Sequence, residues 1–435
     1  MRGIFRSTSL VLILLLSLVL VGCGGEDGDK PVKVLLHNNP FNEGLKELEA
    51  KFEEDTGIKV DIDVVGQDVG IQRTELDFTG KTGDIDVVYM SFVVKQKWAK
   101  AGWVESLNEY VENAEELNRN DFIETTLDAM SYEDELYGLP GFAEVGLMGY
   151  RKDIFEKHGI DSPPENWDEF SEVVEKIQSN ETAAVALRGQ RGQGLNMFVF
   201  PMFMNSMGGG FFKDFPKDLN PILNSKENIE ALKYYENLVK NYSPSGAGNY
   251  SYPDIVSAYQ QGKAAISLDG TSIITQFLDE ENNKYADQTG IALIPGGKSG
   301  ASPMIAVHGL ALSKFSNNKE EAFEFIKWAT SFETQKEIAL NQNYSDFTRL
   351  SVSQDEEVKA KFNIANGEFL EIRNQALEQA DGNYRPLLPE WGEIGDIIAI
   401  EVNSVTSGNK SAENALEDAN NKVKETLKRN GYNID

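Results

Sequence analysis

The chain has 435 residues, of which 40% are hydrophobic and 10% aromatic, so it can fill packed cores and differs from a disordered composition. It carries 70 Asp and Glu against 41 Lys and Arg, a net charge of −29, which disfavours nucleic acid and anionic lipid head groups as partners. Its length exceeds the roughly 250–300 residues at which a single core stops growing, so we expect two lobes.

The N-terminus has the pattern of a secretory signal. Arg2 and Arg6 precede the apolar run Leu10–Gly22, which is shorter than the roughly 20 residues that a membrane-spanning helix needs. Cys23 follows this run and is the only cysteine of the chain. A single thiol forms no intramolecular disulfide and no multi-cysteine metal cluster, so Cys23 needs another explanation.

Residues 20–23, Leu-Val-Gly-Cys, resemble the bacterial lipobox, in which the cysteine receives a lipid and the chain is cut before it. The resemblance implies that residues 1–22 are a signal peptide, that Cys23 is lipidated and that residues 23–30 are a tether. The protein would then be lipid-anchored on the extracytoplasmic face of the cell membrane, because no later apolar run approaches spanning length. The alternative is an ordinary signal peptide with a chance cysteine.

The next residues alternate between strand and helix patterns. A strand is predicted at Val32–His37, then a helix with Leu45, Leu48 and Phe52 on one face that ends near Gly57. Two further strands follow, in the segments IKVDIDVV and GDIDVVYMSF. This order predicts an α/β fold with a largely parallel sheet.

Later segments keep this character. Asn166 and Glu169 form a predicted capping box in front of an apolar helix face. The segment YPDIVSAYQQGKAAISLDG predicts a helix, a turn at Gly262 and a buried strand, and the last helix is predicted from its apolar face in residues 412–427. The Gly- and Met-rich stretch Arg188–Phe212 is most simply core, although its polar residue Arg188 needs a further explanation.

No local motif indicates an enzyme or a bound cofactor. The three histidines, His37, His158 and His308, are far apart in sequence, so a catalytic zinc site is not expected. The segment PGGKSG lacks the first glycine of a phosphate-binding loop, which is Ala292 here, and no Gly-x-Ser-x-Gly turn occurs. A pair of carboxylates that hydrolyses glycosidic bonds remains an alternative, because the chain has 70 Asp and Glu residues.

Five stretches, in order, resemble successive blocks of the extracellular solute-binding proteins of ABC importers, in the sugar-binding group that includes maltose-binding proteins. They are FNEGLKELEAKFEEDTGIKVDIDVV, GDIDVVYMSFVVKQKWAKAGWVESLNEYV, LYGLPGFAEVGLMGYRKDIFEKHGIDSPPENWDEF, YQQGKAAISLDG and IALIPGG with VHGLALSKFSNNKEEAFEFIKW. The resemblance implies a carbohydrate ligand, sugar or polyol, and ABC permease subunits as partners. It implies no cofactor and no catalytic activity.

The family fold implied by this resemblance is a two-lobed, periplasmic-binding-protein-like α/β fold with several hinge crossings. The crossings are expected near Phe142–Gly146, Gly290–Gly296 and Ser331–Leu340. Lobe one would contain residues 31–142 and 296–332, and lobe two residues 147–290 and 338–435. The ligand is expected between the lobes.

Strand ends are also candidate ligand contacts on physical grounds, because pockets in open α/β sheets form beyond the carboxyl ends of strands. Asn38 and Asn39 follow the first strand, although a simple turn would explain them equally well. Phe92 follows the third strand and either stacks on the ligand or fills the core. Asp269 lies at the end of the strand after Gly262.

The resemblance adds further candidates. Glu144 aligns with a family glutamate that binds sugar hydroxyls at the first crossing, with a hinge-surface acid as the alternative. Trp391 lies where relatives carry a stacking aromatic, and Arg385 precedes Pro386 in the same segment and could bind two hydroxyls. The alternatives are core packing for Trp391 and a surface charge for Arg385. Arg188 belongs to LRGQRGQGLNM, which is similar to a stretch of sorbitol- and mannitol-type binding proteins.

Three departures from the family pattern argue against a malto-oligosaccharide or a standard polyol site. The polyol-type relatives have Trp where this chain has Gln193. The maltose-binding relatives have an Asp-Arg pair at the positions of Val93 and Val94, and an aromatic residue where this chain has Thr271 and Ser272. A smaller or differently shaped ligand is therefore expected. A sensor, a receptor for a non-sugar solute, and an exported glycan-active enzyme are the alternative functions.

Overall fold

The computed structural model describes residues 30–435, apart from the side chains of Asp68 and Asn366. The predicted signal peptide and the predicted lipidation site Cys23 lie outside the described residues. Within the described part of the chain, helices cover the faces and ends of one large mixed sheet, and two small hairpins lie apart from it.

The strands of the described residues are β1 (Val32–His37), β2 (Val60–Val65), β3 (Val87–Ser91), β4 (Ser131–Tyr132), β5 (Glu135–Leu136), β6 (Leu139–Arg151), β7 (Ala183–Ala186), β8 (Phe212–Asp214), β9 (Asp218–Pro221), β10 (Ala264–Gly270), β11 (Thr289–Ala292) and β12 (Ile305–Leu312).

The α-helices up to β12 are α1 (Pro40–Glu47), α2 (Glu49–Thr56), α3 (Gln67–Gly80), α4 (Lys95–Lys100), α5 (Asn108–Glu112), α6 (Glu124–Met130), α7 (Lys152–Lys157), α8 (Trp167–Ile177), α9 (Asn196–Ser206), α10 (Lys226–Asn237), α11 (Tyr252–Gln260) and α12 (Thr271–Phe277). Those after β12 are α13 (Lys319–Ala329), α14 (Phe332–Asn341), α15 (Leu350–Gln354), α16 (Glu356–Lys361), α17 (Phe369–Gln379), α18 (Trp391–Thr406) and α19 (Ala412–Arg429).

Local sequence rules account for several of these elements. The predicted first helix is divided into α1 and α2, and α2 ends at Gly57, whose φ of 74° is readily adopted by glycine. Asn166 accepts a hydrogen bond from Glu169 N at the start of α8, so the predicted cap is present. The return bond of the predicted capping box differs, because the Glu169 carboxylate accepts from Glu165 N and the Asn166 side chain. The apolar face predicted for α19 is buried along its whole length.

The large sheet has the strand order β2-β1-β3-β12-β6-β10-β7, and β11 also pairs with β6. The first three strands are parallel, as the sequence predicts, and β7 is parallel to β10. β12 is antiparallel to both of its neighbours, and β6 is antiparallel to β10 and β11. The whole sheet is therefore mixed rather than largely parallel.

The 13-residue strand β6 belongs to both halves of the sheet. Its residues up to Val145 pair with β12, which leads to β3, β1 and β2. From Gly146 onward β6 pairs with β10, and further along with β11. The change of partners falls inside the range expected for the first crossing. We call the β2-β1-β3-β12 side the first half and the β10-β7-β11 side the second half.

Two further chain segments lie beside this point of β6. Gly146 N donates to Met304 O at 2.7 Å, so the chain returns to the first half at Met304 and Ile305. The range Gly290–Gly296, predicted for the second crossing, lies earlier and on the second half, where Gly296 N donates to Glu165 O. The chain thus pairs with β6 beside the first half several residues after this range, and the position of the second crossing stays a prediction.

The third segment is formed by residues 343–349. Ala143 N donates to Asp346 O at 2.8 Å, and Phe347 pairs with Phe142. The range Ser331–Leu340, predicted for the third crossing, instead forms most of α14, which packs against α1. α16 packs on α14 in turn, so α14 to α16 lie on the same side of the molecule as the first half of the sheet. The lobe boundaries themselves stay a prediction.

The close approach at Gly146 yields a stability prediction. A Cβ on Gly146 would lie 2.8 Å from Met304 Sδ and 2.9 Å from Met304 N, so Gly146→Ala must push the two segments apart. We expect the free energy of unfolding, measured by urea denaturation, to fall by about 1–3 kcal/mol. Gly392→Ala is the control, because a Cβ there meets nothing within 4 Å. Equal stability of the two variants would contradict a tight crossing.

Candidate functional site: a cavity between the two halves of the sheet

A cavity of about 600 Å³ lies beside the point where β6 changes partners. Asn39 and Gln67 line it from the first half, and Phe142 and Glu144 from β6 itself. Its remaining walls come from residues around Arg188, the starts of α11 and α12, and residues 342–346. A volume of this size is typical of a small-molecule site.

A buried ion pair supports one wall. β7 and β10 are parallel neighbours, so their carboxyl ends bring Arg188 next to Asp269. Arg188 Nε donates to Asp269 Oδ2 at 2.9 Å, and a second bond joins Nη2 to Oδ1. The third donor of the guanidinium, Nη1, binds Gly194 O at 2.6 Å. Arg188 lines the cavity, whereas Asp269 lies behind it and is fully buried.

Two carboxyl groups, Glu144 and Asp346, also line the cavity. Burial, and then the neighbouring Asp346 carboxylate, raise the pKa of Glu144 well above its ordinary value, although Arg188 opposes the shift. Burial likewise raises the pKa of Asp346, against the opposing charge of Arg373. Asp346 is 1% exposed, and its Oδ2 has no hydrogen-bond partner. This oxygen also has almost no exposed surface, so Asp346 supports the cavity wall from within and does not present Oδ2 to the cavity.

Asp346 also links the segment 343–349 to the second half. The hydroxyl of Thr271, the first residue of α12, donates to Asp346 Oδ1. Val145 N, on β6, approaches the same hydroxyl at 3.4 Å. Because Ser272 and Gln276 of α12 line the cavity, this link fixes one wall relative to the crossing.

Phe92 and Arg385 meet across the two halves. Phe92 is 1% exposed, and the Arg385 guanidinium carbon lies 5.0 Å from its ring centre. Arg385 Nη1 donates to Gln193 O at 2.7 Å, whereas Nε is buried without a hydrogen-bond partner. Both Arg385 and Arg188 face the ring of Phe198. Neither Phe92 nor Arg385 is part of the cavity wall in this structure.

Trp391 does not reach the cavity in this structure. It is 1% exposed at the start of α18, and its ring packs edge-on against Phe211 at 5.1 Å between centres. Its indole nitrogen has no hydrogen-bond partner. These contacts give Trp391 a packing role here, which was the alternative that the sequence left open.

The two asparagines after β1 differ in their surroundings. Asn39 caps α1, where its Oδ1 accepts from Asn42 N at 3.0 Å and its amide donates to His37 O. Asn39 also lines the cavity, so it combines the turn role with a place at the site. Asn38 is exposed, and its amide donates to Glu43 at 3.0 Å, outside the cavity wall.

Three stacked rings lie beneath the cavity wall on the side of the first half of the sheet. Phe142 stacks on His308 at 4.7 Å between ring centres, and Tyr89 stacks on the same imidazole and shares a hydrogen bond with its Nδ1. Burial, followed by the charge of Arg385, lowers the pKa of His308 to about 3. His308 is therefore neutral at physiological pH and acts as a flat, uncharged packing surface.

Several cavity residues are absent from the sequence-based candidates. The sequence analysis missed Gln67, Tyr252, Gln276, Asn343 and Asp346. A weak signal exists for Tyr252, because it opens a clearly predicted helix with Pro253 beside it. No local sequence pattern distinguishes Asp346. It lies at the site because the neighbouring residue Phe347 pairs with Phe142 of β6.

Within residues 30–435, no group of three or more His, Cys, Asp or Glu side chains is arranged to hold a metal ion. No helix in the same residues is long and apolar enough to cross a membrane.

Residues 38–336 match the family model of the bacterial extracellular solute-binding proteins, which is more than half of the chain. This chain belongs to that family. A putative binding protein of Brucella abortus is 27% identical over 421 residues, covering 95% of this chain and 97% of the relative. The mannitol-binding protein of Pseudomonas aeruginosa is 25% identical over 426 residues, covering 93% and 95%.

A solved structure is also similar to this solute-binding protein. It is the ABC transporter solute-binding protein of Agrobacterium radiobacter K84 in complex with ribitol, at a TM-score of 0.80 and 28% identity, covering 91% of this chain and 100% of that one. The predicted α/β, two-lobed fold is confirmed. Because the family consists of binding proteins, the interpretation as a binding protein rather than an enzyme is confirmed as well.

The raised pKa of Glu144 predicts a pH effect on stability. A carboxyl group with a higher pKa in the folded state binds more protons when folded, so its contribution to the unfolding free energy falls as the pH rises through that interval. In urea unfolding from about pH 4.5 upward, Glu144→Gln should lose less stability with rising pH than the wild-type protein. Parallel curves for the two proteins would show that Glu144 titrates normally.

Proposed function

We propose that this solute-binding protein is the substrate-binding subunit of an ABC importer, that it captures a sugar or polyol in the cavity described above, and that a lipid on Cys23 anchors it outside the cell membrane. The observation that carries the proposal is the cavity itself, whose hydrogen-bonding groups come from both halves of the sheet and from the crossing. A ligand held by both halves can favour a closed form, which permease subunits can recognise.

The charges around the cavity favour a neutral ligand. The carboxyl groups of Glu144, Asp269 and Asp346 lie near two guanidinium groups, those of Arg188 and Arg373. Asp279 is a further acid in the cavity wall. Since the acids outnumber these guanidinium groups, the site disfavours an anion, and a neutral polyhydroxylated molecule can bond to both kinds of group. Side-chain amides and hydroxyls in the walls supply both donors and acceptors for hydroxyl groups.

The relatives support the same class of ligand. One is named for mannitol, and the solved structure holds ribitol, both of which are neutral polyols. In our proposal the lobes have the boundaries predicted from the sequence, except that the contacts of α14 and α16 favour extending lobe one to Lys361. Closure would then bend the three segments near Val145, Met304 and Asp346.

A ligand panel tests the proposed function. Purified protein would be screened by thermal shift and calorimetry with ribitol, mannitol, sorbitol, glucose and maltose, and at least one should raise the melting temperature. A ligand at 100 times its dissociation constant stabilises the native state by about 2.7 kcal/mol. No stabilisation by any sugar or polyol, together with binding of a charged solute, would contradict the proposal.

Asp346→Asn tests the cavity assignment with the ligand that binds best. The variant removes the charge that accepts from the Thr271 hydroxyl at the start of α12, and weakening this support of the cavity wall should weaken binding about tenfold in calorimetry. Asp355→Asn is the matched control, since Asp355 caps α16 outside the cavity. An unchanged dissociation constant for Asp346→Asn would place the ligand elsewhere.

Lipidation has a separate test. Mass spectrometry of protein purified from membranes of the native host should show a mature chain that begins at a lipid-modified Cys23 and lacks residues 1–22. Cys23→Ser should release the protein into the medium, because no acyl chain then holds it at the bilayer. An unmodified N-terminus at another residue would contradict the anchor and leave the binding function intact.

A further inference from the structure

A second depression, of about 440 Å³, adjoins the cavity on the outer side of α11. We call it the α11 groove, and it is lined by residues of α11 together with Gln276 and Asn282. Tyr252 and Gln276 line both the cavity and the α11 groove. The two spaces are therefore neighbours that share a wall formed by these two residues.

The α11 groove differs from the rest of the surface in its composition. None of its lining residues is charged, although 26% of the chain is charged and the net charge is −29. Its polar groups are the hydroxyl of Ser257 and the side-chain amides of Gln260, Gln261, Gln276 and Asn282. Uncharged amides and hydroxyls bind sugar hydroxyls without the desolvation cost of a charge.

Tyr252 supplies the aromatic face that such a site needs. Its side chain is 52% exposed, and among the described residues it is the aromatic member of the large hydrophobic side chains that stay exposed. The Arg188 guanidinium carbon lies 5.7 Å from the ring centre, so the buried ion pair that supports the cavity also stands next to this ring. An exposed ring beside the cavity mouth offers an apolar face for the C–H patch of a sugar ring.

The side-chain amides of the α11 groove make local hydrogen bonds that use only some of their donors and acceptors. Gln261 Nε2 donates to Ser257 Oγ at 2.7 Å, and Gln260 Nε2 donates to Gln276 O at 3.4 Å. Each amide has two N–H donors and a carbonyl acceptor, so these bonds leave further donors and acceptors free for a ligand.

We propose that the α11 groove is a second subsite, which binds a further sugar unit of the ligand whose first unit lies in the cavity. The natural ligand is then an oligosaccharide or a glycoside of at least two units rather than a single sugar or a free polyol. This inference rests on the proposed function and adds to it the size of the ligand and the residue, Tyr252, that selects for it.

The experiment compares matched one-unit and two-unit probes by calorimetry. The pairs are glucose with maltose, galactose with lactose, and sorbitol with maltitol, and the proteins are the wild type, Tyr252→Ala and Tyr252→Phe. For at least one pair the wild-type protein should bind the two-unit probe about tenfold more tightly. Tyr252→Ala should abolish that gain, so that the two-unit probe loses about tenfold more affinity than the one-unit probe, and Tyr252→Phe should retain the gain.

Leu76→Ala is the matched control, because Leu76 is another exposed apolar side chain, on α3 and outside the α11 groove. It should bind every probe as the wild type does. Equal affinities within every pair, or an equal loss for both members in Tyr252→Ala, would overturn the second subsite and leave the proposed function standing. If the wild-type protein binds neither these probes nor ribitol or mannitol, the proposed ligand class is wrong. That outcome would also contradict the second subsite.

Discussion

The architecture depends on one strand, β6, that pairs with strands of both halves of the sheet. β6 gives its hydrogen bonds to β12 up to Val145 and to β10 from Gly146, so neither half can form its full ladder without it. The pairing with β12 ends at Val145 and the pairing with β10 begins at Gly146, and the cavity lies beside the point where these two ladders meet. Glu144 lies one residue before the change. The position of the cavity is thus a consequence of strand pairing, before any ligand chemistry is considered.

The charged groups around the gap depend on one another because each would be unfavourable alone. Arg188 is buried and loses its water shell, so it requires the carboxylate of Asp269 behind it. Asp346 requires the Thr271 hydroxyl, and one of its oxygens still lacks a partner. Such partial satisfaction costs stability, and buried polar groups of this kind cluster at functional sites.

Features that depend on neighbouring residues could be predicted from the sequence. Positions that depend on hydrogen bonds between distant segments could not. The apolar face of α19, the cap at Asn166 and the parallel strands β1 to β3 all follow from periodicity or from short-range hydrogen bonds. Arg188 was found through family resemblance, and the structure places it in the cavity wall. Trp391 was chosen by position in the chain, but a buried aromatic at a helix start has the same sequence pattern whether it faces a ligand or Phe211. Asp346 gave no signal, because its place is decided by contact with Ala143, some 200 residues away.

The three segments at the crossing have a geometric consequence. The residues around Val145, Met304 and Asp346 are hydrogen-bonded to one another in extended form, like the strands of a narrow ribbon. If the two halves close on a ligand as proposed, bending across the flat face of this ribbon would preserve these bonds, whereas sliding its strands past one another would break them. Closure by bending would therefore bring the same side chains together each time.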